Sequence, residues 1–384
     1  MRRVALVIHA LVGGGAERVM AMIANHWAGE GREVTLLTLD DGSTPPFHSV
    51  DCRVACRPLG IAGVSGHPGQ SIINNLLRIC RLRAALKEAD PEVVISFMSS
   101  VNVITLLAMA GTGIPVVVSE RVDPRFHPVG RAWEVLRRLT YRSASRIVVQ
   151  SHAVREFFPV PLRRRAVVIP NPVAKCAVQQ ESLPHRPGRT LVAMGRLEAQ
   201  KGFDLLLRAF RALAVRHPQW RLEIYGEGSL RKELEAGIRG SGLQEQVFLC
   251  GMTRQPMAIF RRADLFVLPS RYEGFPNVLC EAMACGVAVV SFDCPSGPRD
   301  ILRHGVDGLL VPPEDVEALG NAIDRLMRND AERRRLAARG REVTERFSPE
   351  KIMGQWLTLT DEVIAEYRSA AGRRPGRRSA TMFH

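Results

Sequence analysis

The sequence has few aromatic residues, few lysines and no cysteine cluster, and these shortages exclude whole classes of protein. The eight cysteines lie singly, without a Cys-x-x-Cys pair or a cysteine–histidine group. This scatter argues against a zinc site or a disulfide framework and is typical of a reducing compartment. Aromatic residues make up 6% of the chain and few of them alternate with the arginines, which disfavours a nucleic-acid-binding surface.

A long uninterrupted apolar segment is also missing. The longest uncharged stretch, residues 93–119, divides into strand, helix and strand, because it is interrupted by Ser99, Ser100, Asn102, Gly111, Gly113 and Pro115. We therefore predict no transmembrane helix. The apolar residues 4–8 are followed by His9, a glycine-rich turn and the acidic Glu17, and they predict a first strand rather than a signal peptide.

The chain carries a formal charge of +14, almost all of it from arginine, because lysine occurs at only five positions. Residues 1–175 contribute +9 and the remaining residues +5, so the excess is concentrated in the N-terminal half. Such a charge suggests an anionic partner: nucleic acid, an acidic bilayer or a phosphorylated substrate. An arginine-rich coding bias is the alternative for the Arg/Lys ratio, but it does not explain the asymmetry.

The length of 384 residues and an alternation of strand-like and helix-like segments predict two α/β domains in tandem. We predict a Rossmann-like domain over 1–172, a proline-containing linker over 173–188, a second Rossmann-like domain over 189–348, a final helix over 349–368 and a disordered basic tail over 369–384. The strands are predicted at 4–8, 34–39, 93–97, 116–119, 147–150 and 167–169, and then at 190–194, 221–225, 247–250, 265–268, 287–291 and 308–311.

Glu273 and Glu281 are the most informative pair of residues in the chain. A strand at 264–268 runs into the loop that carries Glu273, and Gly274 and Pro276 break the backbone before the helix that carries Glu281. Ligands bind at the carboxyl ends of strands in open α/β sheets, and a helix N-terminus beside two acids suits phosphate together with sugar hydroxyls. Two carboxylates alone would also suit the acid and base of a hydrolase, and an acidic loop without a ligand is the further alternative.

Three more loops follow predicted strands and carry groups that suit a phosphate. The turn at 13–15, Gly-Gly-Gly, lets backbone amides approach a ligand, although Arg18 breaks the G-x-G-x-x-G spacing and disfavours a nicotinamide dinucleotide. Arg196 and Lys201 together can neutralise a diphosphate leaving group. The third loop is 225–228, Tyr-Gly-Glu-Gly. A tight turn and a pair of solvated cations are the alternatives for the first two.

With these motifs in place, the chain resembles the retaining glycosyltransferases of the GT-B fold, in the group 1 class called family 4. The resemblance covers nearly the whole length and is most specific in Gly195-Arg-Leu-x-x-x-Lys-Gly202, Tyr225-Gly-Glu-Gly228 and Glu273-x7-Glu281, which occur in this order. It implies two doubly wound domains that face each other across a cleft, with the C-terminal helix crossing back onto the first. It also implies a nucleotide-sugar donor, no cofactor and no metal, and the sequence has no convincing D-x-D motif.

The resemblance assigns roles to individual residues. Arg196 and Lys201 would grip the donor diphosphate, and Glu281 would bind the ribose. Glu273 would contact hydroxyls of the donor sugar near the anomeric carbon, and a covalent nucleophile is its less favoured alternative. The remaining candidate donor contacts are Gly15, Gly226, Glu227, Phe275, Asn277 and Val278, the last three through backbone amides.

One loop departs from the family pattern. Many relatives carry a histidine after the fifth or so strand of the first domain, beside the donor sugar, whereas residues 118–124 here read Val-Ser-Glu-Arg-Val-Asp-Pro. The Ser-x-Arg-x-x-Pro pattern resembles a branch that extends lipid-carrier-linked oligosaccharides, often with N-acetylgalactosamine or another hexose. We therefore take Glu120 and Arg121 as acceptor-side candidates, with a structural salt bridge as the alternative.

Residues 131–142 predict a two-faced helix in the acceptor domain. One face carries Ala132, Trp133, Val135, Leu136 and Leu139, and the other carries Arg131, Arg137, Arg138 and Arg142. Such a helix can lie on an anionic bilayer, where a lipid-linked acceptor would be met. The commoner alternative packs the apolar face on the sheet and turns the arginines to solvent.

The sequence therefore predicts a retaining enzyme that transfers a hexose or N-acetylhexosamine from a nucleotide sugar, UDP by expectation, to a polyprenyl-diphosphate-linked glycan in surface polysaccharide biosynthesis. We expect a cytoplasmic protein, peripheral on the inner face of the cytoplasmic membrane, that binds no nucleic acid. Two alternatives stay open. One is a GT-B-like nucleotide-sugar epimerase, whose histidine and acid constellation is not evident, and the other is a basic nucleic-acid-binding protein, suggested by charge alone.

Overall fold

A computed structural model describes residues 2–63, 68–176 and 189–372, which form two parallel β-sheets flanked by helices. The strands are β1 (Arg3–Ile8), β2 (Glu33–Thr38), β3 (Ala55–Pro58), β4 (Val93–Phe97), β5 (Val116–Ser119), β6 (Arg146–Val149), β7 (Ala166–Val168), β8 (Arg189–Met194), β9 (Trp220–Tyr225), β10 (Val247–Gly251), β11 (Leu265–Leu268), β12 (Ala288–Phe292) and β13 (Leu309–Val311).

Helices fill the intervals between the strands. They are α1 (Gly15–Gly29), α2 (Pro68–Ala89), α3 (Ser99–Met109), α4 (Arg131–Thr140), α5 (His152–Phe157), α6 (Val160–Arg163), α7 (Phe203–Arg216), α8 (Arg231–Gly240), α9 (Pro256–Arg262), α10 (Asn277–Ala284), α11 (Pro298–Ile301), α12 (Val316–Arg328), α13 (Asp330–Gly340), α14 (Val343–Arg346) and α15 (Pro349–Gly372). None of the helices in the described part of the chain is both long and apolar enough to cross a bilayer.

The strand order confirms the predicted doubly wound α/β architecture. The first sheet has the order β3-β2-β1-β4-β5-β6-β7 and the second β10-β9-β8-β11-β12-β13. In each sheet the order reverses beside the first strand of the domain, between β1 and β4 and between β8 and β11. Such a reversal opens a crevice at the carboxyl ends of the strands, where ligands of this architecture bind.

The C-terminal helix returns to the first domain. Trp356 of α15 is fully buried, and its ring lies 5.7 Å from that of Phe97 at the end of β4. Trp356 belongs to the same apolar cluster as Leu6 and Trp27, on one face of the first sheet. Because helices cover both faces of the sheet, a strand can be buried at every position, as β4 is.

Two predicted boundaries differ from the structure or cannot be compared with it. Helix α15 continues to Gly372, four residues into the predicted tail, while residues 373–384 of that tail and 177–188 of the predicted linker lie outside the described residues.

The sequence pattern also missed β3. All four of its residues are exposed at the edge of the sheet, so the apolar pattern that marks the other strands is absent there.

The direction of α4 corrects a prediction. Its apolar residues Val135 and Leu139 are each 56% exposed, whereas Arg137 is 3% exposed. Arg137 pairs with Glu134, and its guanidinium carbon lies 5.0 Å from the centroid of the Phe157 ring. Arg137 therefore does not belong to a solvent-facing row with Arg131, Arg138 and Arg142, which are exposed. The predicted packing of the apolar face on the sheet is wrong, because most of that face points to solvent.

Candidate active site

Loops at the carboxyl ends of the strands bring the two domains into contact. Asn171, after β7, donates from Nδ2 to Oδ1 of Asn277 at 2.7 Å. The ring of Phe126, in the loop after β5, stacks on the ring of Tyr272, with centroids 4.8 Å apart. The loops after β5, β7 and β11 therefore line one cleft between the two sheets.

Glu273 and Lys201 form the centre of this cleft on the C-terminal side. Lys201 Nζ lies 2.6 Å from Glu273 Oε1, and Ser270 Oγ donates to the same oxygen at 2.7 Å. Glu273 is 6% exposed, so its carboxylate is held by both donors. Gly202 allows the two loops to meet, since its φ is +64° and a Cβ there would lie 2.0 Å from the carbonyl oxygen of Pro269.

Arg196 lies on the same loop as Lys201 but is open to solvent. Its Nη2 donates to Gln200 Oε1 at 3.3 Å, which is a long hydrogen bond. A cation held so weakly can turn towards an incoming anion at little cost. The structure thus presents one fixed cation, Lys201, and one adjustable cation, Arg196, as the predicted pair of diphosphate contacts.

Glu281 contacts the opposite domain. Its Oε1 accepts from Arg18 Nη1 at 2.5 Å, and the two side chains are 14% and 29% exposed. Glu281 lies on α10 and Arg18 on α1, so this ion pair crosses the cleft. The residue predicted to bind the ribose is therefore paired with a cation of the other domain.

The predicted contacts Gly15 and Asn277 meet across the cleft. A Cβ at Gly15 would lie 2.7 Å from Nδ2 of Asn277, so a larger residue there would displace the amide. The other end of that amide is held by Asn171, which in turn accepts from Gln150 Nε2 at 2.7 Å and from Arg121. A chain of hydrogen bonds from the first domain thus orients the first residue of α10.

The start of α10 offers backbone donors rather than side chains. Pro276 occupies the position before the helix and supplies no capping side chain. Leu279 and Cys280 donate their amides to the Pro276 carbonyl oxygen, which leaves the amides of Asn277 and Val278 to face a ligand. Phe275 is 7% exposed and packs edge-on against Phe347, with centroids 5.7 Å apart. Val278 is half-buried against the same core. Only the backbones of Phe275 and Val278 are placed to face a ligand.

The loop after β9 approaches the loop that carries Arg196. Gly226 has φ +142°, and a Cβ there would lie 1.9 Å from the carbonyl oxygen of Gly195, so only glycine fits. Glu227 turns away from this contact. Its carboxylate accepts from Arg231 at 2.7 Å and is 44% exposed, and its predicted donor contact stays a prediction.

The placement of Glu120 argues against contact with an acceptor. Glu120 is 0% exposed, and its carboxylate accepts from Ser99 Oγ at 2.7 Å and from the hydroxyl of Tyr141 at 2.5 Å. Burial raises the pKa of this carboxyl group, although both hydrogen bonds oppose that effect. We therefore correct this part of the prediction, since Glu120 has no surface to offer and supports the core behind the cleft.

The raised pKa predicts how Glu120 affects stability. Because the folded protein binds this proton more tightly than the unfolded chain, the stabilising contribution is complete below the ordinary carboxyl pKa and is lost as the pH rises through the folded value. We expect Glu120→Gln, which stays neutral, to remove this dependence. The unfolding free energies of the wild type and the variant are measured at pH 5 and pH 8. From the lower to the higher pH, the wild type should lose stability relative to the variant. A difference between the two proteins that is the same at both pH values would contradict a raised pKa of Glu120.

Arg121 is also buried, but it lies at the domain boundary. It is 6% exposed, donates to Asn171 and stacks on Phe97, with the guanidinium carbon 4.7 Å from the ring centroid. Burial lowers the pKa of Arg121 to about 9. Its partner Asn171 differs from the partners of Glu120, so the two predicted residues do not serve one site. An acceptor contact of Arg121 stays a prediction.

His127 and Tyr272 are among the cleft residues that sequence reasoning missed. The His127 ring lies edge-on to the ring of Tyr272, with centroids 5.6 Å apart, and Tyr272 directly precedes Glu273 in the chain. Burial and the charge of Arg196 lower the pKa of His127, although the nearby carboxylates of Asp123 and Glu273 oppose this effect. Its position after a strand end, beside Phe126, was the available signal. The donor-side histidine expected near residue 120 is thus absent there, while His127 reaches the cleft from further along the loop.

The described residues contain no group of three or more histidines, cysteines, aspartates or glutamates placed to hold a metal ion. The expectation that the reaction needs no metal rests on the resemblance and stays a prediction. The cleft contains the cations Lys201, Arg196 and Arg18, the carboxylates of Glu273 and Glu281, the His127 imidazole and the first backbone amides of α10. This set can bind a diphosphate next to sugar hydroxyls.

Several known proteins are similar to this chain over most of its length. One relative is an exopolysaccharide phosphotransferase of Streptomyces coelicolor, which is 30% identical over 97% of this chain. The chain spans only 41% of the length of that relative. An N-acetylgalactosaminyltransferase of Campylobacter jejuni, named for an undecaprenyl-diphosphate-linked glycan, is 26% identical over 94% of this chain and 99% of its own. The solved structure of HepE of Anabaena with UDP covers 94% of this chain and all of its own, with a TM-score of 0.78 and 19% identity.

Two family models account for most of the sequence. Residues 14–172 match the glycosyl transferase 4-like domain, and residues 178–343 match the glycosyl transferases of group 1. The first match covers every strand of the first sheet except β1, the second covers the whole second sheet, and the cleft residues come from both. The chain is a glycosyltransferase of the GT-B fold and belongs to the glycosyl transferases of group 1.

Proposed function

We propose that this glycosyltransferase transfers a hexose or N-acetylhexosamine, with retention of configuration, from a UDP-sugar to a polyprenyl-diphosphate-linked glycan in surface polysaccharide biosynthesis. The observation that carries the proposal is the convergence of Lys201, Glu273 and Arg196 with the unpaired amides of α10. The likeness to a protein solved with UDP supports the nucleotide. The likeness to a transferase named for an undecaprenyl-diphosphate-linked glycan supports the acceptor.

The charges of the cleft suit the departure of a diphosphate. Glycosyl transfer develops positive charge on the sugar ring and negative charge on the leaving group. Lys201 and Arg196 would meet the negative charge together with the first amides of α10, and fixed charges of this kind are strong in a cleft that excludes water. The proposal assigns charge neutralisation to these protein groups and calls for no metal ion or cofactor.

Glu281 would bind the ribose hydroxyls. Arg18 now holds this carboxylate, so the ribose must either displace Arg18 or share Glu281 with it. Because Arg18 and Glu281 belong to different domains, the donor would act directly on a contact between them. Closure of the domains around the donor would then exclude water and limit hydrolysis.

The chemical step needs no covalent intermediate. The bond from the anomeric carbon to the phosphate oxygen breaks, and its electrons go to the diphosphate. The acceptor hydroxyl attacks on the same face, forms the new bond to the anomeric carbon and gives its proton to the leaving phosphate. Glu273 would orient the sugar and hold Lys201, since one of its oxygens already accepts from Lys201 and Ser270.

Product analysis tests the proposal. The purified protein is mixed with a panel of UDP-hexoses and UDP-N-acetylhexosamines and with an undecaprenyl-diphosphate-linked oligosaccharide, and the new linkage is identified by NMR. We expect the acceptor to grow by one sugar that keeps the anomeric configuration of the donor. An inverted linkage would contradict retention, and interconversion of the donor sugar without an acceptor would favour the epimerase.

We further propose that the exposed face of α4 holds the enzyme on the inner face of the cytoplasmic membrane. Val135 and Leu139 point to solvent, with the exposed Arg131 and Arg138 beside them. An apolar face flanked by arginines suits insertion at the surface of an anionic bilayer. This arrangement replaces the arginine face that the sequence predicted.

A second apolar surface supports this orientation. On α2, Ile73, Leu76 and Leu77 are 60%, 57% and 51% exposed. Helix α3 packs against both α2 and α4, so the two surfaces lie on the same side of the first sheet. Single exposed apolar residues are normal, but two helices with such faces on one side of the sheet offer a larger contact surface.

Charge placed on α4 tests the membrane proposal. We expect Val135→Glu combined with Leu139→Glu to weaken binding to vesicles that contain phosphatidylglycerol by about 10- to 100-fold, because two apolar side chains that would insert into the bilayer are lost. Vesicle sedimentation at physiological salt measures the effect. Val215→Glu on α7, where Val215 is 85% exposed, is the control and should bind as the wild type does. If the wild type ignores these vesicles, the proposal is wrong.

A further inference from the structure

A second cavity lies on the flank of the N-terminal domain, outside the cleft. It has a volume of about 410 Å³, within the range of about 300–1,000 Å³ that is typical of small-molecule sites. Helices α4, α5 and α6 and the segment between the last two form its wall. Its lining includes three arginines and an apolar surface: Arg137, Arg138, Arg163, Phe157, Phe158 and Leu162.

Arg137 is a buried cation with an unused donor. It is 3% exposed, it pairs with Glu134 through Nη2, and its guanidinium stacks on Phe157. Its other terminal nitrogen, Nη1, is buried and has no hydrogen-bond partner. A buried N–H donor without an acceptor costs free energy, so a ligand that supplies an acceptor for Arg137 Nη1 would bind favourably here.

The rest of the cavity keeps an excess of positive charge. Arg163 lies 2.6 Å from Glu156 and donates to the backbone carbonyl of Phe158 at 3.2 Å, which fixes it at the rim. Arg138 is exposed beside it. Even when Glu134 is counted, the arginines outnumber the carboxylates three to two. The cavity therefore favours an anion.

We propose that this cavity binds the phosphate of an anionic membrane phospholipid. Guanidinium groups match phosphate oxygens in pairs, and Arg137 Nη1 would gain its acceptor. Phe157 and Leu162 would contact the glycerol and the first methylene groups. The inference rests on the membrane contact proposed above, since Arg138 directly precedes Leu139 of the exposed apolar face.

The lining distinguishes this ligand from simpler anions. A free phosphate would satisfy the arginines but leave the apolar wall without contact. The candidate donor contacts do not line this cavity, so a lipid bound here would not occupy the position of the nucleotide sugar. The site would instead select the headgroup on which α4 rests.

A soluble lipid tests the inference without a membrane. Dihexanoyl phosphatidic acid, used below its micelle concentration, is expected to bind saturably and roughly tenfold more tightly than dihexanoyl phosphatidylcholine or glycerol 3-phosphate. Isothermal titration calorimetry measures all three. Saturating UDP should leave the affinity unchanged, and competition by UDP would place the lipid in the donor site and overturn the inference.

Charge-conserving variants locate the binding. Arg137→Lys keeps the charge but loses the planar fork, and we expect it to bind the phosphatidic acid about tenfold more weakly. Arg142→Lys, outside the cavity, is the matched control and should bind as the wild type does. If thermal unfolding shows that Arg137→Lys is damaged, Arg163→Lys at the rim carries the test. Equal binding by the wild type and the folded cavity variants would overturn the inference.

The outcome is separable from that of the proposed function. The calorimetric test contains neither a bilayer nor a sugar donor, so its failure leaves transfer and membrane contact untouched. The double glutamate variant of Val135 and Leu139 should weaken vesicle binding, as stated above, yet keep the affinity for the soluble lipid. Loss of both in that variant would mean that the apolar face, rather than the cavity, binds the lipid.

Discussion

Lys201→Ala is expected to lower kcat/KM for the donor by about 100- to 1,000-fold, the range seen when one fixed donor to a developing negative charge is removed. Lys201 is 14% exposed at the side chain and is held 2.6 Å from Glu273, so its position is set before the donor arrives. Removing it would leave the leaving diphosphate without its fixed cation and Glu273 without its partner.

The control for this variant is Lys232→Ala. Lys232 is an exposed lysine on α8 of the same domain, and its loss changes the net charge equally. We expect it to retain the wild-type kcat/KM in a coupled assay of UDP release. Equal losses in the two variants would mean that net charge, rather than the position of Lys201, governs the reaction.

Glu273→Gln is expected to lower kcat by about 10- to 1,000-fold while leaving acceptor-dependent turnover measurable. The amide keeps the shape and the hydrogen-bonding capacity of the carboxylate but loses the charge that holds Lys201 and faces the sugar. If Glu273 were instead a covalent nucleophile, turnover would fall to background, because no glycosyl-enzyme could form.

Glu317→Gln provides the comparison for Glu273→Gln. Glu317 is exposed on α12 and should tolerate the same change without loss of kcat. Trapping adds a second readout, since a nucleophile would accumulate a sugar adduct detectable by mass spectrometry of the denatured protein. We expect no adduct on Glu273 in the wild type.

The architecture and the C-terminal half of the site follow from local sequence. Two apolar strands, β8 and β11, are each followed by a loop that contains glycine and charged residues, at 195–202 and 269–276. These two loops place Arg196, Lys201 and Glu273 together. Parallel strands of one sheet must present their carboxyl ends on the same edge, so strand prediction alone assembles this half.

Contacts between the domains were beyond sequence reasoning. Arg18 and Glu281 are 263 residues apart, and Asn171 and Asn277 are 106 apart. No local pattern relates residues at such separations, because the angle between the domains is set by the packing of both. The hydrogen bonds that orient Asn277 therefore emerged only from the structure.

Helix α4 shows why a two-faced pattern does not reveal which face is buried. Periodicity separates apolar residues from arginines, but the neighbouring side chains decide the orientation. Here the side chain of Arg137 packs against the Phe157 ring, and Glu134 pairs with the charge of Arg137. An arginine can therefore face inward at this position. The apolar residues left outside then define the proposed membrane surface.

Nucleotide release by the wild type and two variants tests the central claim most directly. The purified protein is given the active UDP-sugar with and without the lipid-linked acceptor, and UDP is measured for the wild type, Lys201→Ala and Glu273→Ala. We expect UDP release by the wild type to depend on the acceptor and to fall at least about 100-fold in both variants. Unchanged turnover in both variants would contradict the assignment of the donor site to Lys201 and Glu273.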